Sequence, residues 1–237
     1  STPVEINNKN NDYKLSLKYI ESAIEEIGRI IKKGSLIIMR STIPIGLTRD
    51  HLIPIIERVS GFKCGLDFKI SFAPERTVEG LAIKELRELP QVIGGYDEKS
   101  YEETAKVFSR LTSTIVHVDS LEAAEMVKLM NNSYRDYVFA YSNKLSMIAS
   151  NFNLDITHVI ESANRGYPRN PIPYPSPGVG GPCLTKDPYI FSSSIEGDKN
   201  NVFHLSRKIN QSMHDYVVNR VIDQIEIQSK NKTSTKI

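Results

Sequence analysis

The stretch SLIIMRST, residues 35–42, sets the reading of the chain. Its apolar run, bounded by Gly34 and by a turn through Pro44 and Gly46, predicts a short buried strand. Working outward, residues 14–32 carry apolar positions at helical spacing and stop at Gly34. A second helix is expected at about 47–59, leading to the strand KISFAPE (69–75). The strand QVIGG (91–95), a helix at 100–111 and the strand TIVHV (114–118) complete an alternating pattern. Strands that alternate with helices predict an α/β fold, a parallel sheet flanked by helices.

From Ser120 the character changes. Residues 120–153 form one long helical pattern with no proline and no glycine, and Asp119 or Ser120 can cap its start. A further helix is expected at about 155–164, after the turn-prone NFNLD. Residues 165–183, RGYPRNPIPYPSPGVGGPC, are crowded with proline and glycine and make an irregular segment too long for a passive connection. Loops of this length usually carry function. Two more helices, about 187–195 and 201–228, precede the polar tail SKNKTSTKI.

The composition narrows the function. The 237 residues are 40% apolar and 24% charged, enough for one large core or two smaller ones. Thirty basic against twenty-eight acidic residues leave a net charge of +2, with no basic tract, so nucleic acid is not the implied partner. Cys64 and Cys183 stand far apart and outside any Cys-x-x-Cys pair, which suits reduced thiols in the cytoplasm. No run of 18 apolar residues exists to span a membrane. The histidines lack ligand spacing, so no metal is expected. The opening STPVEI reads like the end of a strand. No Gly-x-Gly-x-x-Gly lies between a strand and a helix; Gly178, Gly180 and Gly181 follow a proline-rich loop and are not a dinucleotide fingerprint.

Three motifs, APERTVEG (73–80), EMVKLMNNSYRD (125–136) and PGVGGPCLTKDPY (177–189), with STPV and RSTIPIG, together resemble the UDP-glucose and UDP-N-acetylmannosamine dehydrogenases. Order and spacing match across essentially the whole chain. The resemblance implies the C-terminal part of a Rossmann-type NAD-binding domain over 1–119. It also implies an all-α central domain over 120–228, carrying a catalytic loop at 165–187 and a long helix used for homodimerisation. Residues 229–237 would then link to a UDP-binding domain outside this chain, and the glycine fingerprint would precede it.

The residues can be weighed one at a time. Oxidising a primary alcohol to an acid passes through an aldehyde, which a thiolate can trap as a thiohemiacetal and then carry as a thioester. Cys183 is the candidate nucleophile, and the start of a helix near 187 would favour its thiolate. The glycines before it, Gly180 among them, allow backbone to approach a ligand closely. Cys64, in GFKCG, reads as structural. Lys128, Asn132 and Arg135 stand at i, i+4 and i+7, one face of the long helix. A solvated face is the ordinary meaning of such a pattern. By resemblance, Lys128 would steady the developing oxyanion or exchange a proton, Asn132 would hydrogen-bond the reacting oxygen or its water, and Arg135 would hold substrate. A lysine four residues before an asparagine also occurs in β-hydroxyacid dehydrogenases.

Glu75 and Glu79 bracket a strand exit, where sites in open sheets form. The resemblance makes Glu75 an acid or base for thioester hydrolysis, sets Glu79 near the nicotinamide, and gives Arg76 and Thr77 to the sugar nucleotide. Thr42 would face the nicotinamide and a catalytic water. Lys186 would contact the cofactor, and Asp187 would order the hydrolytic site; Asp187 also fits a helix cap before Pro188. Arg169, or Arg165 in its place, would reach phosphate across a dimer interface.

The implied reaction is NAD-dependent, four-electron oxidation of a UDP-sugar at C6. UDP-N-acetylmannosamine is favoured because Arg76 stands where the glucose branch typically has an aromatic residue. UDP-glucose is the alternative, and GDP-mannose a third. A rival from another class is a non-catalytic helical dimerisation fragment.

Overall fold

The computed structural model describes residues 5–9, 12–78, 80–194 and 201–234, with side chains described over 15–78, 80–194 and 201–229. It opens with β1 (Glu5–Lys9) and β2 (Asp12–Ser16), paired antiparallel. Here the expected helix at 14 gives way to a strand, because Tyr13, Leu15 and Leu17 alternate with polar residues at the period of a strand. The helix α1 (Lys18–Ile30) follows, burying Ile20, Ile24 and Gly28. Gly28 lets it close on α2 (Ile53–Ser60): a Cβ there would stand 3.0 Å from Cβ of Val59. A π-helical turn, Thr48–Leu52, leads directly into α2.

The central sheet has the order β3 (Leu36–Met39), β4 (Lys69–Phe72), β5 (Gln91–Gly95), β6 (Ile115–Val118). It is parallel-rich: β3–β4 and β5–β6 are parallel, while β4–β5 is antiparallel. That one pairing departs from the parallel expectation for a physical reason. A parallel return needs a crossover packed on the sheet. Among the described residues the helix between β4 and β5, α3 (Ala82–Glu88), buries no residue. Between β5 and β6 runs α4 (Glu98–Phe108), capped by Asp97, whose carboxylate accepts the Ser100 N–H.

The long helix α5 (Leu121–Asn151) is continuous, and Ser120 caps it by accepting the Ala123 N–H. Gly94 lets β5 meet its start, since a Cβ would fall 2.0 Å from the Ser120 carbonyl. Asn153, at φ 53°, turns the chain into α6 (Ile156–Asn164), capped by Asp155. Then come α7 (Gly181–Leu184), α8 (Asp187–Ser192) and α9 (Val202–Ser234). The sequence reading ended the last helix near 228. It runs on to Ser234 because no proline or glycine stops it.

Two compact units divide within α5. The first takes the sheet, the helices up to Asn131 and the part of α8 from Tyr189. The second takes Asn132–Pro188 and α9. The first has an apolar core of Ile24, Leu52, Ile56, Phe68, Ile70 and Phe72 with their neighbours. The second buries Asn132, Asp136, Asn143, Asp187, Arg207 and Asn210. Met126, Met130, Tyr134, Tyr137, Tyr141 and Ile148 are exposed along one stripe of α5, on the side away from Lys128, Asn132 and Arg135 at about 100° per residue. Among the described residues no helix is long and apolar enough to cross a membrane.

Candidate functional site

In the first unit the expected residues stand at the carboxyl ends of neighbouring parallel strands. Thr42 lies past β3 and Glu75 past β4; both are half-buried, as are Arg76 and Thr77. Glu75 is not idle. Its carboxylate pairs with Arg40 and accepts the Thr77 N–H at 2.9 Å. Burial pushes its pKa up, but the Thr77 N–H and the Arg40 guanidinium outweigh that and hold it at about 2. Arg40 is itself ordered by Gln91, whose Oε1 accepts at 3.3 Å, and lies over the Phe108 ring. Arg76 donates to the Pro90 carbonyl, at 3.5 Å. Glu79 lies outside the described residues.

Lys128 is half-buried on α5. Three residues earlier, Glu125 is 1% exposed. It accepts the Gly46 N–H at 2.6 Å and the Thr48 N–H at 3.1 Å, and so anchors the turn that follows Thr42. Burial raises its pKa to about 7 against those donors. Arg40, Gln91 and Glu125 were missed as site-shaping residues. Two of them sit inside the quoted motifs, and the signal was a charged residue placed where a strand or helix becomes buried.

In the second unit the structure brings Asn132, Lys186 and Asp187 together. The Asn132 amide donates to Asp187 Oδ2 at 2.6 Å, and Lys186 Nζ stands 3.4 Å from Asp187 Oδ1. Asp187 is fully buried and opens α8; among the described residues its Oδ1 accepts no hydrogen bond. Cys183 is exposed. It sits within the short turn α7, not at the first residue of α8, and its carbonyl accepts the Lys186 N–H at 3.2 Å. Gly181, at φ +80°, makes the bend before it, and Gly180 is the residue just ahead of α7. A side chain with a Cβ is strained at the Gly181 angle. Cys64 is the opposite case: it is buried, and burial first, then Asp97 and Glu57, push its thiol up to about 12.

Arg135, Arg165 and Arg169 are exposed. Arg169 lies over the Tyr167 ring, and Asn164 clamps the same loop by exchanging two hydrogen bonds with the Ile172 backbone. The sequence reading also missed Asp136, Asn143, Arg207 and Asn210, a buried polar group in this unit.

The family model described as "UDP-glucose/GDP-mannose dehydrogenase family, NAD binding domain" matches residues 1–112, and that family's central-domain model matches 122–212. The UDP-N-acetyl-D-mannosamine dehydrogenase of Pyrococcus horikoshii is 34% identical over 89% of this chain and 50% of its own length. That of Methanocaldococcus jannaschii is 37% identical over 88% and 46%. The solved structure of the UDP-D-ManNAc dehydrogenase from Pyrococcus horikoshii superposes with a TM-score of 0.84 at 32% identity, covering 91% of this chain and 51% of that one. The chain spans about half the length of the curated relatives it matches.

Proposed function

We propose, from the premise that this chain belongs to the UDP-glucose/GDP-mannose dehydrogenase family, that it carries the chemical centre of an NAD-dependent UDP-N-acetylmannosamine 6-dehydrogenase. The observation that carries the reading is an exposed Cys183 in the turn just before the half-buried Lys186 and the buried pair of Asp187 and Asn132. The names of the relatives and Arg76 in place of an aromatic residue favour the acetamido sugar over UDP-glucose.

The nicotinamide end of a cofactor would lie at the carboxyl ends of the parallel strands β3 and β4, where Thr42 stands; by resemblance Lys186 and Glu79 would also hold it. NAD, when bound, supplies the hydride acceptor for both oxidations. The chain's own groups do the rest. Lys128 places positive charge beside the oxygen of each tetrahedral species, or takes the alcohol proton. The Cys183 thiolate adds to the C6 aldehyde, forming a C–S bond and a thiohemiacetal; its oxidation gives a thioester, and water cleaves that to the acid and the free thiol. Asn132 donates one amide hydrogen to Asp187 and would give its second to the reacting oxygen. Asp187 orders the hydrolytic end. Glu75, ionised well below neutrality, serves acid–base chemistry only when a ligand draws Arg40 away from it. Arg76, Thr77, Arg135, Gly180 and Arg169 line the sugar nucleotide.

The exposed stripe of α5 is offered to a second copy of the chain, giving a homodimer. Tyr137→Glu combined with Tyr141→Glu should leave a monomer by sedimentation; an unchanged mass rejects that interface. For the reaction, this chain is joined in one polypeptide to the remaining segments of its Pyrococcus horikoshii relative and given UDP-N-acetylmannosamine. Two NADH per sugar oxidised support the reading, and no NADH contradicts it.

A further inference from the structure

Four buried side chains of the second unit form one connected run of hydrogen bonds that the reaction above does not use. Arg207 on α9 is 2% exposed, and its Nη1 donates to Asp136 Oδ1 at 2.5 Å and to the Val179 carbonyl at 3.3 Å. Asn210, one turn further on α9, donates to the same Asp136 oxygen at 2.8 Å and to the Asp136 carbonyl at 3.0 Å. Its own oxygen accepts from Asn143 at 2.9 Å, and Asn143 in turn accepts the Ser176 N–H at 2.8 Å. The run starts and finishes on the irregular loop: Ser176 is held at its N–H and Val179 at its carbonyl.

We propose that Asp136, Asn143, Arg207 and Asn210 are positioning residues that clamp Ser176–Val179 and thereby fix the turn that presents Cys183. Pro177 and Gly178 between the anchors are exposed, and a Cβ at Gly178 would meet nothing within 4 Å. Only Gly180, Gly181 and Pro182 separate the second anchor from the thiol. An error in the angle of the Val179 carbonyl therefore passes through two glycines to the sulfur. The choice of residues fits this role. A buried ion pair is weak support for stability and can often be replaced by apolar side chains, whereas a guanidinium can donate in a fixed plane to a carboxylate and a carbonyl at once. The clamp on the loop stands by itself; its meaning for chemistry rests on the proposed role of Cys183.

The test replaces the pair by apolar residues, Asp136→Leu with Arg207→Met, beside the single variant Arg207→Lys, which keeps a charge for Asp136 on a shorter side chain without the planar Nη1 that reaches both acceptors. Hydrogen exchange of amides 176–183 should speed up by about tenfold or more in both variants, with amides 144–151 of α5 unchanged. Alkylation of Cys183 by iodoacetamide should speed up by about threefold or more, while buried Cys64 stays unreactive as the check on folding. If the double variant does not fold, Arg207→Lys decides by the same readouts. Wild-type exchange at 176–183 overturns the clamp, and faster exchange with wild-type alkylation overturns its link to the thiol. In the assembled enzyme kcat should fall more than KM rises. Changed alkylation in an enzyme whose Cys183→Ser variant still makes acid would condemn the nucleophile and leave the clamp standing.

Discussion

The two units bury different things. The sheet unit closes over isoleucine, leucine and phenylalanine, and its buried carboxylate, Glu125, is held by the Gly46 and Thr48 amides. The helical unit encloses Asp136, Asn143, Asp187, Arg207 and Asn210, each tied to another polar group. Apolar packing is non-directional and tolerates sliding. A network of hydrogen bonds fixes angles and leaves costly orphans when any member is lost. The difference teaches that the first unit is built to be stable, and that the second gives up apolar burial to hold a loop in one arrangement.

The contrast can be broken at its apolar end first. Phe72→Ala should cost the first unit about 3–5 kcal/mol in urea unfolding, since Phe72 is 1% exposed within the core. A loss comparable to that of a surface substitution would mean the core is not where stability resides.

Glu125 is the buried carboxylate among the described residues of the first unit, and it should show in the pH dependence. Its folded pKa lies near 7 against an ordinary 4.5, so between those values the native state holds a proton that the unfolded chain has released. Stability from this group is therefore present below pH 4.5 and lost as pH rises to 7, by about 3 kcal/mol in all. Glu125→Gln should remove that slope in unfolding measured from pH 4.5 to 7. Glu75 acts in a separate window, losing stability as pH falls from 4.5 toward 2. A wild-type slope in Glu125→Gln would refute the assignment.

The sharpest test of the difference is smaller. Asn210→Leu adds apolar volume at a buried site, which an apolar core would welcome. Here it strands the Asn143 amide and removes a donor from Asp136, so it should destabilise by about 2 kcal/mol. Stabilisation would show that the polar network is incidental.

Legibility from sequence follows the same division. Strands β3 to β6 and helices α1, α2 and α4 announce themselves because their apolar periodicity is their reason for folding. The antiparallel β4–β5 pair is not legible, because nothing in APERTVEG states whether the chain crosses over or turns back. In the second unit α5 was legible by its freedom from proline and glycine. Its partners were not: Asp136 and Arg207 read as ordinary helix-surface charges until α9 is seen to bring them together. Cys183, Asn132 and Asp187 were found through the motifs that contain them. The Asn132–Asp187 hydrogen bond across 55 positions is information that only folding supplies.

The central claim is that the sulfur at 183 bonds to the sugar's terminal carbon. In the joined polypeptide, a Cys183→Ser variant should lose uronic acid formation on the order of 10²-fold or more, with quenched wild-type enzyme yielding a sugar-nucleotide adduct on the peptide that carries Cys183. Acid made at the wild-type rate by the serine variant would contradict it.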